Sequence, residues 1–333
     1  MINKKNTKIT YKLLSNYHRQ LKWVYTLISY KFHQLKLSQI LHFKELKSIN
    51  YSAAKKVKFT SGKLILTGDL FPSKNITQAP CILLIHGSAI FGRKSPLIQG
   101  LAREFHRLGY TVLALDLRGY GESDDPQDYH PKGFDFAQDV ESALDFLVDY
   151  LGVSTDQFYL VGHSFGGGVA LAAQARDQRI KKIVSFGPPR RLSERFINQR
   201  AKDQHKLLVR WQGDMQLDKP LNFPFWREVM ETINLERYVH DFAIPGHTPV
   251  FLIDASQEPE ADLKFMRDVL QNMIPPVEHW TIPGTGHYLN CGFLLTVPFY
   301  HQPLVKTFVN CVDQWLKLES GVESELKQVS QRY

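Results

Sequence analysis

Cysteine is scarce in this chain. Only Cys81, Cys291 and Cys311 occur, none of them in C-x-x-C spacing, which leaves no basis for a disulfide framework or a zinc site and implies a reducing, cytoplasmic setting. Long apolar runs are missing as well. The longest are short ones such as Cys81-Ile82-Leu83-Leu84-Ile85, far below the roughly 18–20 residues that a membrane-spanning helix needs. The lysines near the start are not followed by the apolar stretch and small-residue cleavage site of a secretory signal, so none is expected. No Gly-rich stretch carries the lysine of a phosphate-binding P-loop, and no nucleic-acid-binding module is recognisable. Repeats and low-complexity segments are absent too. What remains, with 43% hydrophobic and 22% charged residues over 333 positions, is an ordinary globular composition that excludes disorder and fibres.

Charge is present but unevenly placed. Residues 1–50 hold ten Lys/Arg against the single acid Glu45, whereas the remainder carries 31 bases and 32 acids, so the net charge of +8 belongs to the leader. Within it Leu14, Tyr17, Leu21, Val24, Ile28, Phe32 and Leu35 recur at steps of three and four, the pattern of an amphipathic helix. Such a basic helix is expected to pack on the rest of the protein, on a second subunit, or peripherally on an anionic membrane surface. Residues 319–333 read as a polar tail.

Residues 51–318 read as one α/β domain. Lys56–Phe59 and Lys63–Leu66 flank a Ser61-Gly62 turn, which predicts an antiparallel edge hairpin. From Pro80 onward, apolar runs at Cys81–Ile85, Thr111–Leu115, Phe158–Val161, Ile183–Phe186, Val250–Ile253 and Trp280–Ile282 alternate with helical stretches. Runs apolar on both faces predict a mostly parallel central sheet with helices on either side. Helices are expected near Ser95–Leu108, Asp135–Tyr150, Phe165–Asp177, Asp262–Met273 and Pro303–Leu318. Between the fourth and fifth runs, about residues 188–247 are too long for one crossover helix, and their many aromatic and charged residues predict an inserted helical cap.

The chemistry concentrates at Gly162-His163-Ser164-Phe165-Gly166, a G-x-S-x-G placed between a predicted strand and a predicted helix. A serine exposed on so sharp a turn needs near-absent side chains two positions to either side, which Gly162 and Gly166 supply. A serine hydroxyl is a poor nucleophile until a base takes its proton. His287, in the loop directly after the last predicted strand, is the best placed of thirteen histidines to do so. The base needs a carboxylate to orient it, and elbow enzymes order their triad Ser, acid, His along the chain. Asp254, Glu258, Glu260 and Asp262 compete after the strand Val250–Ile253; Glu258, in the loop itself, is the expected acid, with Asp254 and Glu260 as rivals. Oxyanion donors are expected from the backbone N–H of Phe165 and of Ser88, the latter turned inward by Gly87.

Taken together, residues 55–318 resemble an α/β-hydrolase. Besides the elbow, Asp116-Leu117-Arg118-Gly119-Tyr120-Gly121-Glu122-Ser123 resembles the D-x-R-G-x-G-x-S turn common there, a structural segment. Asp254-Ala255-Ser256-Gln257-Glu258 matches the H-G-x-x-D acid loop in position, although Glu replaces the more frequent Asp and Asp-Ala replaces His-Gly. The resemblance is closest to the serine esterase, acylglycerol lipase and aminopeptidase-like branch. It implies hydrolysis of a small-molecule carboxylic ester with neither metal nor organic cofactor, and the aromatic content of the cap points to a lipophilic acyl or alcohol group in that ester. A serine peptidase is the enzymatic alternative, given Glu228, Glu231 and Glu236 in the cap, and a non-catalytic ligand-binding member of the fold is the other.

Overall fold

The computed structural model describes residues 46–48, 54–126, 129–192, 213–215, 217, 222–244, 247–271, 277–294 and 297–318. The amphipathic stretch Leu14–Leu35, the tail from Glu319 and part of the expected cap, including Trp211, lie outside the described residues.

The hairpin forms as its residue pattern dictates. Strand β2 (Lys55–Ser61) turns through Gly62, at φ 57°, into β3 (Leu64–Phe71), with Ser61 opposite Leu64. The apolar runs then become β4 (Cys81–Ile85), β5 (Thr111–Asp116), β6 (Phe158–His163), β7 (Ile180–Phe186), β8 (Val250–Ala255) and β9 (Glu278–Ile282). They assemble into one eight-stranded sheet in the order β2-β3-β5-β4-β6-β7-β8-β9. β3 is antiparallel to both of its neighbours, and every pair from β5 to β9 is parallel.

Alternation of side chains across the sheet divides the core in two. Cys81, Leu83 and Ile85 of β4 join one buried cluster while Ile82 and Leu84 join the other, so a strand apolar at every position is satisfied on both faces. Helices α2 (Phe136–Asp145) and α3 (Phe165–Gln174) cover the first face; α1 (Pro96–Arg107) and α7 (Gln302–Lys317) cover the second. Their starts follow local chemistry. Ser95 and Asp135 accept from the N–H groups of Ile98 and Gln138, and Pro96 occupies the first turn of α1, where its missing N–H costs nothing. α2 ends earlier than its sequence pattern suggests, because Phe146–Tyr150 widen into a π-helical turn.

A second, smaller sheet was not predicted. Strand β1 (Leu46–Ser48) pairs with β11 (Val297–His301), which also pairs with β10 (Gly292–Leu294), forming a separate three-stranded antiparallel sheet. The last residues of the basic leader are thereby tied to the chain's C-terminal third. In the cap, Asn222 accepts from the Phe225 N–H to start α4 (Phe223–Glu231), and α5 (Leu235–Tyr238) follows.

Register fixes where chemistry can occur. Ile85 lies opposite Gly162, His163 opposite Phe186, Phe186 opposite Ile253 and Ala255 opposite Ile282. The loops after β4, β6, β7, β8 and β9 therefore leave the same carboxyl edge of the sheet side by side.

Candidate active site

Ser164 sits between β6 and α3 at φ 54° and ψ −120°, a backbone conformation that a residue bearing a side chain adopts only when its surroundings force it. The forcing groups are visible. A Cβ on Gly162 would strike the backbone of Gly166, and a Cβ on Gly166 would strike the carbonyls of Ile85 and His86, so strand and helix can cross this closely only with glycine at both positions. The Ser164 N–H donates to the Phe186 carbonyl at 2.7 Å, which anchors the turn to β7. Phe165 begins α3, so its backbone N–H has no acceptor within the helix and is left for another partner.

The other expected donor lies in the adjacent loop. His86 is fully buried, and Leu117 N–H donates to its Nε2 at 3.2 Å. That bond leaves the proton on Nδ1, which donates to the Gly87 carbonyl at 2.7 Å. In a planar trans peptide the C=O and N–H point in opposite directions, so the Ser88 N–H is turned away from the His86 ring. Gly87 abuts Ser164: a Cβ on it would lie 3.0 Å from the Ser164 Cβ. Burial, and secondarily the Arg93 charge, lowers the His86 pKa to about 4 against the opposing Gly87 bond, so the ring is neutral and keeps this tautomer at neutral pH.

His287, after β9, hydrogen-bonds through Nδ1 to Glu258 Oε1 in a short contact. Glu258 is largely shielded, at 11% exposure against 29% for His287, so the imidazole is the open member of the pair. Because Nδ1 faces Glu258, Nε2 is the nitrogen left for other chemistry. The ring stands over Gly187, where a Cβ would come within 2.9 Å of it. It also lies 4.7 Å, centroid to centroid, from His163, the residue before Ser164. His163 Nε2–H donates to the His287 backbone carbonyl at 2.8 Å, joining elbow and histidine loop directly. Burial and the neighbouring His287 hold the His163 pKa well below its ordinary value, so it serves as a neutral donor.

The competing carboxylates are occupied elsewhere. Asp254 is fully buried, with Oδ1 2.6 Å from Arg190 and Oδ2 2.9 Å from His279. Its burial works to raise the pKa, but the His279 hydrogen bond and the Arg190 charge outweigh this and leave the group below the usual carboxylate range. Glu260 and Asp262 begin α6 (Glu260–Leu270); the first pairs with Arg267 and the second with Arg191. Of the cap acids, Glu236 accepts the Arg191 N–H.

Sequence reading thus placed Ser164, Gly162, Gly166, Gly87, Ser88, Phe165, Glu258 and His287 on adjoining loops, and the structure brings them to one edge. It missed His163, His86 and Gly187. The signals were present: a histidine beside the serine, a histidine closing β4 and a glycine directly after β7. The D-x-R-G-x-G-x-S turn is structural here. Asp116 accepts from the N–H groups of Arg93, at 2.6 Å, and Glu122, at 2.8 Å, and pairs with the Arg93 side chain.

Trp226 is fully buried, with its ring parallel to Phe165 at 6.4 Å and edge-on to Phe134 at 6.2 Å, so it fastens the cap to the body. Among the described residues no cluster of three or more His, Cys, Asp or Glu could hold a metal ion, and no helix is long and apolar enough to cross a membrane.

Comparison with known proteins bears on the fold. The family profile described as the alpha/beta hydrolase fold matches residues 80–225, from the lead-in to β4 into α4. The chain has the α/β-hydrolase fold. Among curated relatives, it is 32% identical over 114 residues to an uncharacterized 31.7 kDa protein from the traX-finO intergenic region of Escherichia coli, covering 34% of this chain and 38% of that one. It is 32% identical over 129 residues to polyketide transferase af380 of Aspergillus fumigatus, covering 39% of this chain and 43% of the relative. These matches thus span less than half of either relative. Among solved structures, Est1E from Butyrivibrio proteoclasticus with bound ferulic acid superposes with a TM-score of 0.55 at 17% identity, covering 78% of this chain and 98% of Est1E.

Proposed function

We propose that this α/β-hydrolase is a serine hydrolase that cleaves a carboxylic ester through an acyl-enzyme on Ser164. The observation that carries the reading is the Glu258–His287 hydrogen bond on the loops beside a strained Ser164, since that pairing orients an imidazole for proton transfer. In the first half-reaction His287 Nε2 takes the Ser164 proton while Oγ bonds to the ester carbonyl carbon. Charge on the carbonyl oxygen is met by the Ser88 and Phe165 N–H groups. His287 then gives its proton to the alkoxide as the C–O bond breaks, and the alcohol leaves. In the second, His287 deprotonates water, which attacks the acyl carbon; the acid departs and the proton returns to Ser164. Glu258 holds the imidazole in its orientation and steadies the imidazolium.

The ester is proposed to be lipophilic, on the ground that half-buried Phe223 and Phe225 and the Phe134 ring beside them give the cap an apolar underside. Hydrolysis of p-nitrophenyl esters of increasing chain length tests both parts of the proposal. Turnover that disappears in Ser164→Ala, with kcat/KM rising from acetate to medium chains, is expected. Turnover that survives Ser164→Ala would end the acyl-enzyme reading, and a flat profile would end the lipophilic one.

A further inference from the structure

Ser88 does more in the structure than offer a backbone N–H. Its hydroxyl lies 3.0 Å from Tyr120 Oη and 3.2 Å from Asp214 Oδ2, and Asp214 belongs to the cap. A carboxylate can only accept, so the single Ser88 proton goes to Asp214 and the Tyr120 hydroxyl donates to Ser88 Oγ. Burial raises the Tyr120 pKa and keeps that phenol protonated, and its ring stands edge-on to His86 at 4.9 Å. The residues flanking Asp214 press on the same turn. Buried Met215 packs against Gly119, where a Cβ would come within 2.8 Å of its methyl group, and buried Leu217 packs beside it. Asp214, Met215 and Leu217 of the cap are thus seated on the loop pair, Gly87-Ser88 and Leu117–Tyr120, that His86 also bridges.

On this basis, and resting on the hydrolase reading above, we infer that Asp214 is a positioning residue: through the Ser88 hydroxyl it ties the cap to the oxyanion loop and fixes the orientation of the Ser88 N–H. The peptide carrying that N–H is held from two sides. His86 Nδ1 grips the Gly87 carbonyl, and Asp214, with Tyr120, grips the Ser88 side chain. With either grip missing the peptide can rock, and a donor aimed at the transition-state oxygen loses alignment.

Kinetics on the full chain test this. Asp214→Ala and Ser88→Ala, the latter keeping the backbone N–H, should each lower kcat by about tenfold to a hundredfold with KM little changed, since a misaligned donor acts on the transition state and not on the bound ester. The double variant should lose no more than either single one, because both break the same link. Asp214→Asn, which keeps an acceptor oxygen, should restore most of the rate. Affinity for phenylboronic acid, which forms a tetrahedral adduct on Ser164 Oγ with the serine proton passing to His287, should fall by a similar factor in Asp214→Ala. Unchanged kcat and boronate affinity in Asp214→Ala, a loss confined to KM, additive losses in the double variant, or Asp214→Asn no better than Asp214→Ala would each overturn the inference. Absence of esterase activity in the unaltered protein would instead overturn the proposed function, so the two failures are distinct.

Discussion

At the scale of single residues, the acids around the histidine separate by what each one touches. Glu258 meets His287 Nδ1, so Glu258→Gln should remove the charge that steadies the imidazolium and offer the wrong partner for its tautomer. Loss of kcat on the order of 10²–10⁴ is expected with little change in melting temperature, as a triad acid is worth in comparable sites. Asp254→Asn should behave oppositely. It would leave the Arg190 charge buried and under-compensated, and destabilisation of about 3 kcal/mol is expected in urea titrations, larger than its effect on kcat measured under native conditions. Greater kinetic damage from Asp254→Asn than from Glu258→Gln would place the acid wrongly. His287→Ala should cost on the order of 10⁴ or more in kcat, because nucleophile and base act as a unit.

At the scale of elements, the elbow and the cap are held in different ways. The elbow depends on backbone approach: the groups that would meet a Cβ on Gly162 are Gly166 and Gly167 backbone atoms, which cannot swing aside as a side chain could. Gly162→Ala should therefore abolish esterase activity and cost on the order of 2 kcal/mol in stability, as overpacking against a rigid neighbour does. The cap depends on apolar burial. Trp226→Ala removes a fully buried indole from between Phe134 and Phe165 and should destabilise the protein by about 3–5 kcal/mol in denaturant titrations, while leaving the order of preference among ester chain lengths unchanged. A shifted preference with unaltered stability would return Trp226 to the substrate pocket. Strands buried on both faces were legible to within a few residues because every position in Cys81–Ile85 or Thr111–Leu115 is apolar or β-favouring. Strands β1, β10 and β11 were not, since three-to-five-residue segments that are held by one another show too little periodicity to stand out. The π-helical turn at Phe146–Tyr150 was equally hidden, because its residues continue the apolar rhythm of α2.

At the scale of the whole molecule, the sequence pointed to candidate residues for the chemistry but not to the residues that hold them in place. Ser164, Glu258 and His287 stand out because their motifs and their place after strands restrict the choice. His86 and His163 act through hydrogen bonds to carbonyls of Gly87 and His287, 1 and 124 positions away, and a contact of the second kind has no local signature. Both buried imidazoles also give the fold a pH dependence. An unfolded histidine titrates near its ordinary value of about 6.5, whereas His86 in the fold does so at about 4 and His163 likewise well below the ordinary value. Between those limits the unfolded chain binds more protons than the native one, so stability rises with pH and is lost as pH falls from about 6.5 toward 4. For His86 alone this amounts to about 3 kcal/mol over the full interval. Urea titrations at pH 7 and pH 4.5 should show that His86→Gln loses less stability on acidification than the unaltered protein; an equal loss would mean that His86 does not remain neutral in the fold.

The central claim is that Ser164 is a nucleophile activated by His287. Reaction with a fluorophosphonate followed by peptide mass spectrometry tests it most directly, because such a reagent phosphonylates a serine hydroxyl whose proton a neighbouring base removes. A single phosphonylated peptide carrying the adduct on Ser164 is expected, with labelling abolished in Ser164→Ala and strongly slowed in His287→Ala. Modification of a different serine, or labelling of Ser164 at the same rate without His287, would contradict it.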